Sequence, residues 1–296
     1  MKLRSVFYIV LAGIFWGTSG LFVHFLAPYG FSSLQMTAVR GTVSFLCIAV
    51  YVLVRSRESL RVTPRRLIFC IGAGASVFGT AACYFSAMQL TSIATAVVLM
   101  YMAPVLVTVF SVLFLKERFT LLKGISVALM VIGCALVSGV VGGLKFHPVG
   151  ILLGILSAIV YAAYSVFTKL SLESGCAPMT SSFYSYLTMA ALALSVSAPH
   201  EIVSHAAKDP LRVIPVMIAL GIVTFILPYF LYTLAVRELP AGTASALSIV
   251  EPMAATVFSV VIFKEKLGVA AVIGIVLILG AVILLSREES DGKQEK

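Results

Sequence analysis

One apolar run, broken once by proline and stopped by a Lys-Glu pair, occurs twice in this chain, and few architectures accommodate that. The first copy enters at Ala94, carries Pro104 and leaves through Phe110-Ser111-Val112 to Lys116-Glu117. The second enters at Gly242, carries Pro252 and leaves through Phe258-Ser259-Val260 to Lys264-Glu265, each paired position lying 148 residues on. Tyr84 and Tyr232 keep that spacing, while Trp16 with Tyr161 and Gly30 with Gly175 are 145 apart. Repetition at such a period fixes architecture before any local reading. It divides the chain into two homologous units, residues 1–140 and 149–286, followed by a polar tail, 287–296, expected to be disordered.

The nature of each unit is set by its solvent. Of 296 residues 60% are hydrophobic and only 11% charged, with a mean hydropathy of +1.09, which is too little polar surface to close around a soluble core. The net charge of +9 does not point to nucleic acid, because the Lys and Arg sit in short loops between apolar runs, without basic-aromatic clusters. The five cysteines have no C-x-x-C spacing and read as small buried hydrophobes. Lys2 and Arg4 precede an apolar run that continues through Trp16 to Leu26 without a small-residue cleavage site, so it reads as a first span and not as a signal peptide.

A helix needs about 20 apolar residues to cross a bilayer. Ten runs qualify: Ser5–Leu26, Gln35–Val54, Leu67–Met88, Ile93–Leu115, Leu121–Val140, Val149–Leu170, Thr180–Ala198, Val213–Val236, Thr243–Phe263 and Leu267–Leu285. With the N-terminus inside, Lys145, Lys208, Arg212, Lys264 and Lys266 fall outside, Arg40 lies within the membrane, and the other 15 of the 21 Lys and Arg are cytoplasmic. That bias expects a multi-pass protein of the plasma (cytoplasmic) membrane with both termini cytoplasmic. Five spans per unit is odd, so the second unit crosses in the opposite direction. The expected fold is an all-α integral membrane protein of ten transmembrane helices, arranged as two inverted five-helix repeats.

Two copies of a five-span unit, with an aromatic-small pair in the first span (Trp16-Gly17, Tyr161-Ala162), Arg40 in the second, a proline in the fourth and Lys-Glu at its end, resemble the drug/metabolite transporter superfamily. More narrowly, the chain resembles its ten-span EamA-domain exporters. The resemblance implies a secondary transporter that exports amino acids or related small amphipathic metabolites by alternating access. It implies a small-molecule substrate and a lipid environment, with no cofactor and no nucleic acid. The same superfamily fold also serves carriers of sugar phosphates and nucleotide-sugars. Such cargo calls for several Lys or Arg facing the pathway, and only Arg40 and Lys169 are placed for it.

Single residues carry their own arguments. Arg40 lies inside the second span, where a charge costs about 2.5–3.5 kcal/mol even on the lower scale, so it needs a partner. It either presents its guanidinium to a substrate carboxylate or snorkels and binds backbone carbonyls. Glu251 falls near the middle of the ninth span, just before Pro252, where the first unit has Ala103. One reading is a proton carrier or a binder of a substrate ammonium, the other a carboxylate bonded to backbone freed by Pro252 or paired with Arg40 or Lys169. Pro104 and Pro252 each remove a helical hydrogen bond. Each acts as a hinge or as a static kink.

Polar stripes at helical spacing complete the candidate pathway. Tyr161, Tyr164, Ser165 and Thr168 form one, Ser181, Ser185 and Thr188 a second, Ser245, Ser248 and Pro252 a third. Small and hydroxylated residues also serve close helix packing, as the i, i+4 pairs Gly13/Gly17 and Gly150/Gly154 are expected to do. Trp16, Tyr84, Tyr101, Tyr161 and Tyr164 are bulky side chains near mid-span whose polar ends need a partner or water, which favours a wet cavity. His24, His147, His200 and His205 are scattered, without metal-ligand spacing. No phosphate-binding glycine loop, H-E-x-x-H or G-x-S-x-G is present, which argues against nucleotide hydrolysis by this chain. An intramembrane enzyme would need a nucleophile, base or metal ligands clustered at mid-depth, and Glu251 alone does not supply them. The sequence leaves the oligomeric state open.

Overall fold

Backbone amides in hydrocarbon have no water to bond, so apolar runs of this length must satisfy themselves as helices. The computed structural model describes residues 2–55, 57–91, 93–116, 119–137, 147–264 and 268–291. Its first unit comprises α1 (Lys2–Gly17), α2 (Ser19–Leu26), α3 (Ser33–Arg55), α4 (Pro64–Leu90), α5 (Ile93–Met100), α6 (Ala103–Leu115) and α7 (Leu121–Val137). The second comprises α8 (Pro148–Glu173), α9 (Pro178–Val196), α10 (Pro199–Ala207), α11 (Pro210–Gly221), α12 (Leu227–Val236), α13 (Ala241–Leu247), α14 (Val250–Phe263) and α15 (Val269–Asp291). Pro64, Pro148, Pro178, Pro199 and Pro210 each open a helix at its first position, where the missing N–H costs nothing. His147 caps α8, its Nδ1 accepting from the Gly150 amide at 3.3 Å.

Among the described residues seven helical runs are long and apolar enough to cross a membrane: Leu3–Tyr29, Ser33–Arg55, Pro64–Leu90, Thr95–Leu115, Pro148–Glu173, Pro210–Val236 and Ala241–Ile262. An eighth arises if α9 and α10, bent by 85° at their junction, count as one. The two remaining expected spans correspond to shorter apolar helices, Leu121–Val137 and Val269–Leu285. The outer surface suits lipid, with Val54 73%, Phe114 66% and Val276 62% exposed. The expected disordered tail begins instead as helix: α15 continues through Asp291, and residues 292–296 lie outside the described residues.

The repeat is visible in backbone detail. The first helical segment of each unit is followed by a glycine in the left-handed region, Gly30 at φ 102° and Gly175 at φ 84°. The next helix then starts in step, at Ser33 and at Pro178. Lys116 (φ 54°) and Lys264 (φ 59°) close α6 and α14 with left-handed caps, placing a cation where the helix dipole favours it. Glu117 and Glu265, the second halves of the two stop pairs, lie outside the described residues.

Each proline sits beside a break within a run that still forms one span. The run around Pro104 divides into α5 and α6, and the run around Pro252 into α13 and α14, so that each proline sits in the first turn of a new helix. A proline there forfeits no bond that the turn could have made. Across the breaks the chain tightens into i to i−3 bonds, from Met102 N–H to Leu99 O (3.2 Å) and from Glu251 N–H to Ser248 O (3.0 Å). One turn on, Thr108 and Thr256 donate to the carbonyls of Pro104 and Pro252 at 2.8 and 2.9 Å.

Helix pairs also come in mates. α4 lies along α8 as α1 lies along α12, and α6 meets α8 as α14 meets α1; α3 packs on its own counterpart α9, and α7 on α15. Glycines allow the closest approaches. A Cβ at Gly17 would stand 2.8 Å from Ala254 Cβ and 2.9 Å from the Ala255 amide nitrogen; one at Gly154 would stand 2.5 Å from Leu99 Cδ1. The glycine pairs therefore serve packing, as expected. Gly17→Leu should lower the thermal midpoint in detergent by the equivalent of about 1–3 kcal/mol through overpacking. Gly280→Ala, whose Cβ would meet nothing within 4 Å, should leave the midpoint unchanged or slightly raised.

Candidate functional site

A cavity of about 230 Å³ lies among α1, α2, α3, α4, α12 and α14, reaching the face where α2 ends and α3 begins. Five residues expected in a pathway line it: Trp16, Arg40, Tyr84, Tyr161 and Glu251. An adjoining space of about 20 Å³ touches Tyr101, Pro104, Ser248 and again Tyr161 and Glu251. Tyr164 and Ser185 do not reach the main cavity and line a separate space of about 10 Å³. Ser245 is fully buried on α13, lining none of these spaces, with its hydroxyl unpartnered. Pro252 is buried behind Glu251 and does not line them.

Arg40 is held by α3 where that helix passes very close to α11. Ser44 donates to the Arg40 carbonyl at 2.6 Å and lies 3.0 Å from the Gly221 carbonyl. Only glycine fits at position 221, since a Cβ there would stand 2.6 Å from Val43. The guanidinium extends over the Phe225 ring at 5.8 Å from its centroid, a cation–π contact. Its Nε is buried and finds no hydrogen-bond acceptor. Trp16 Nε1, on the same wall, is likewise a buried donor without an acceptor.

Glu251 is explained by the helix break. Because α14 begins at Val250, the carboxylate stands in the first turn of a helix, where the dipole favours a negative group, and the Tyr101 hydroxyl donates to it. Neither sequence-based partner is its direct contact. Lys169 donates from Nζ to the Val236 and Leu239 carbonyls at 2.8 and 3.0 Å, at the opposite end of the bundle. Arg40 faces the same cavity and acts on Glu251 through space.

Between this cavity and the opposite face lies an aromatic layer. Trp16 meets Tyr229 edge-on at 5.1 Å, Tyr164 packs on Tyr229 and Tyr232 at 5.5 Å each, and Phe225 stacks on Tyr229 at 4.4 Å and 29°. Tyr232 shares a 2.9 Å hydrogen bond with Ser165, and Tyr161 one of 3.3 Å with Ser248. Beyond the layer, Ser5 donates to Glu238 at 2.6 Å, tying α1 to the segment after α12. The cavity is thus open toward one face and sealed toward the face that carries the N-terminus.

Tyr229 and Phe225 are the residues that sequence reasoning missed. They flank Pro228, and the π turn Ile222–Ile226 just before it aims them at α1 and α3. The mid-span aromatic argument that selected Tyr84 applies equally to Tyr229.

A bundle of apolar helices in paired half-units, with a cavity open toward one face and lined among the described residues by Arg40 and Glu251, is the architecture of a membrane transporter. A family model of the EamA-like transporter family matches residues 3–139 and again 148–287, and the chain belongs to that family. An uncharacterized transporter of Archaeoglobus fulgidus is 30% identical over 280 residues, 95% of each chain. One from Clostridium kluyveri is 26% identical, spanning 99% of this chain and 96% of the relative. One from Bacillus subtilis is 25% identical, spanning 94% and 92%. A solved crystal structure superimposes with a TM-score of 0.80 at 22% identity, covering 97% of this chain and 99% of the other, which supports the fold.

Arg40 makes a test of what its charge is for. A structural arginine would be missed by the fold, whereas one whose Nε has no acceptor in the folded chain and whose other contacts are a ring face and a distant carboxylate would be missed little. Arg40→Gln should keep or raise the thermal midpoint, while Trp16→Ala should lower stability by about 3–5 kcal/mol. Equal losses in the two variants would make Arg40 a packing residue.

Proposed function

We propose that this transporter exports small zwitterionic metabolites of amino-acid type, binding them between Arg40 and Glu251. The observation that carries the reading is a buried guanidinium without a hydrogen-bond acceptor for its Nε facing, across one aromatic cavity, a carboxylate set on a helix N-terminus. A substrate carboxylate supplies the acceptors that Arg40 Nε and Trp16 lack, and a substrate ammonium neutralises Glu251. Trp16, Tyr84, Tyr161 and Tyr229 suit an apolar body attached to that head. A volume of about 230 Å³ falls below the range of roughly 300–1,000 Å³ typical of drug-sized ligands, and suits a single small metabolite better than a nucleotide-sugar. Among the described residues Arg40 is the only Lys or Arg lining the cavity, which disfavours a dianionic phosphate.

The supporting architecture is ten spans, the two short apolar helices included, with both termini cytoplasmic and the halves inverted. The open face is then extracellular and the sealed face cytoplasmic. The mated helix pairs favour this, since a two-fold relation lets the same packing be made facing either side. Glu251 couples protons to this exchange. Its charged form is costly when the cavity is dry, so a proton is taken up or released as solvation changes with the facing side.

In proteoliposomes an imposed pH gradient should drive accumulation of an apolar amino acid by the wild-type protein. Glu251→Gln keeps the shape of the side chain and removes its titration. The variant should insert normally and equilibrate substrate without responding to the gradient. Gradient-driven accumulation that survives the substitution would refute the coupling, and exchange of sugar phosphates but no amino acids would refute the cargo.

A further inference from the structure

Eight of the ten residues lining the small cavity that took Tyr164 and Ser185 are repeat mates of residues lining the large one, and Val77 and Tyr229 border both. At the 145-residue spacing, Val23, Thr37 and Arg40 in the large cavity correspond to Thr168, Ser182 and Ser185 in the small one. At the 148-residue spacing, Val77, Ala81 and Phe85 correspond to Phe225, Tyr229 and Thr233. Ser19 with Tyr164 and Met36 with Ser181 extend the match. Two unrelated gaps between helices would not select mates along three helices of each unit.

The two spaces differ in size and in facing. The large one holds about 230 Å³, the small one about 10 Å³, barely room for one water. The large one reaches the face where α3 begins; the small one lies toward the ends of α8 and α12 and the start of α9, the face sealed by Ser5 with Glu238. Ser182 Oγ is buried there beside the Tyr186 hydroxyl and makes no hydrogen bond of full geometry, so the pair is only loosely satisfied in this state.

We propose that the cavity lined by Thr168, Ser182 and Ser185 is the closed form of a second cargo site, which opens to the N-terminal face when the two units exchange conformations. This rests on the transport reading above and adds the chemistry of the other side. Ser185 stands where the first unit has Arg40, and Ala103 stands where the second has Glu251. A cargo carboxylate on the N-terminal side is therefore met by the hydroxyls of Ser182 and Thr168, and by Ser185 once it leaves the Cys70 carbonyl to which it donates here at 3.0 Å, and not by a guanidinium. Cargo enters through a site of neutral hydrogen-bonding groups and is handed to a charged site that faces the opposite side. Loading is then less sensitive to salt than capture from the open face.

Thiol accessibility tests the proposal independently of cargo identity. Thr37→Cys and Ser182→Cys, substitutions at mated positions, are introduced singly. Each is exposed in sealed vesicles to a membrane-impermeant charged thiol reagent from either face, with a mixture of amino acids on both sides. Modification is read on the relevant peptide by mass spectrometry. Ser182→Cys should react only from the N-terminal face and Thr37→Cys only from the other. Adding Ser5→Cys with Glu238→Cys and cross-linking them should abolish the Ser182→Cys reaction while sparing Thr37→Cys. Thr168→Cys serves in the same way if Ser182→Cys does not fold. A protein that moves amino acids while Ser182→Cys and Thr168→Cys stay unreactive from the N-terminal face would overturn the second site and leave the transport reading intact. Reaction from that face that persists after cross-linking would overturn it as well. The expected pattern in a protein that moves no amino acid supports the second site and counts against the cargo assignment alone.

Discussion

A guanidinium in a medium without water must find acceptors, and at Arg40 the folded chain does not supply a hydrogen bond to Nε. It supplies instead a ring face at 5.8 Å and, through space, Glu251 across the cavity. That unsatisfied donor sets the requirements for its surroundings. α3 must be held rigidly enough to keep Arg40 at depth, which the Ser44 bridge and the close pass at Gly221 accomplish. A compensating carboxylate must be tolerable nearby, which the start of α14 makes it. On the proposed function a polar head is the missing component, and the aromatic walls suit an apolar body attached to it.

The helix breaks are the means by which a hydrophobic chain places fixed partial charge at mid-depth. Both units break at the same place, and both return the proline carbonyl to a threonine one turn on. Only the second unit uses the new helix start for an acid, with Glu251 where the first has Ala103. The first unit in turn carries Arg40 where the second has Ser185. Shared packing therefore builds the scaffold twice, and substitutions that break the symmetry build the charged site once. On this account the repeat supplies two facing states and the asymmetry supplies binding.

Much of the fold was legible in the sequence because its signals are local. Span positions come from apolar length, and the mated starts at Ser33 and Pro178 and caps at Lys116 and Lys264 come from the repeat. Trp16, Arg40, Tyr84, Tyr161 and Glu251 could be chosen because a polar or amphipathic group at mid-span demands a partner. The failures are failures of helix rotation. Ser245 and Ser248 share a stripe, yet Ser248 borders the site and Ser245 is buried away from it, because the chain breaks at Ser248 and Ile249 between α13 and α14. Tyr229 carried the same mid-span aromatic signal as Tyr84, whereas Phe225 lies within the π turn Ile222–Ile226, whose extra residue shifts helical rotation by about 100° with no mark in the sequence. Reading Pro104 and Pro252 as hinges or kinks did not extend to the helix starts beside them at Ala103 and Val250, which place Glu251 in a first turn.

The central claim is that the cavity needs both charges of its cargo. Thermal unfolding of the purified protein in detergent, with an apolar amino acid, its decarboxylated amine or its N-acetyl derivative, tests it most directly. A ligand specific to the folded state adds about 2.7 kcal/mol at a hundredfold excess over its dissociation constant. The account predicts a rise in the midpoint with the free amino acid, none with the amine or the acetylated acid, and loss of the rise in Arg40→Gln. Equal stabilisation by the amine, which has no carboxylate for Arg40 to hold, would contradict it.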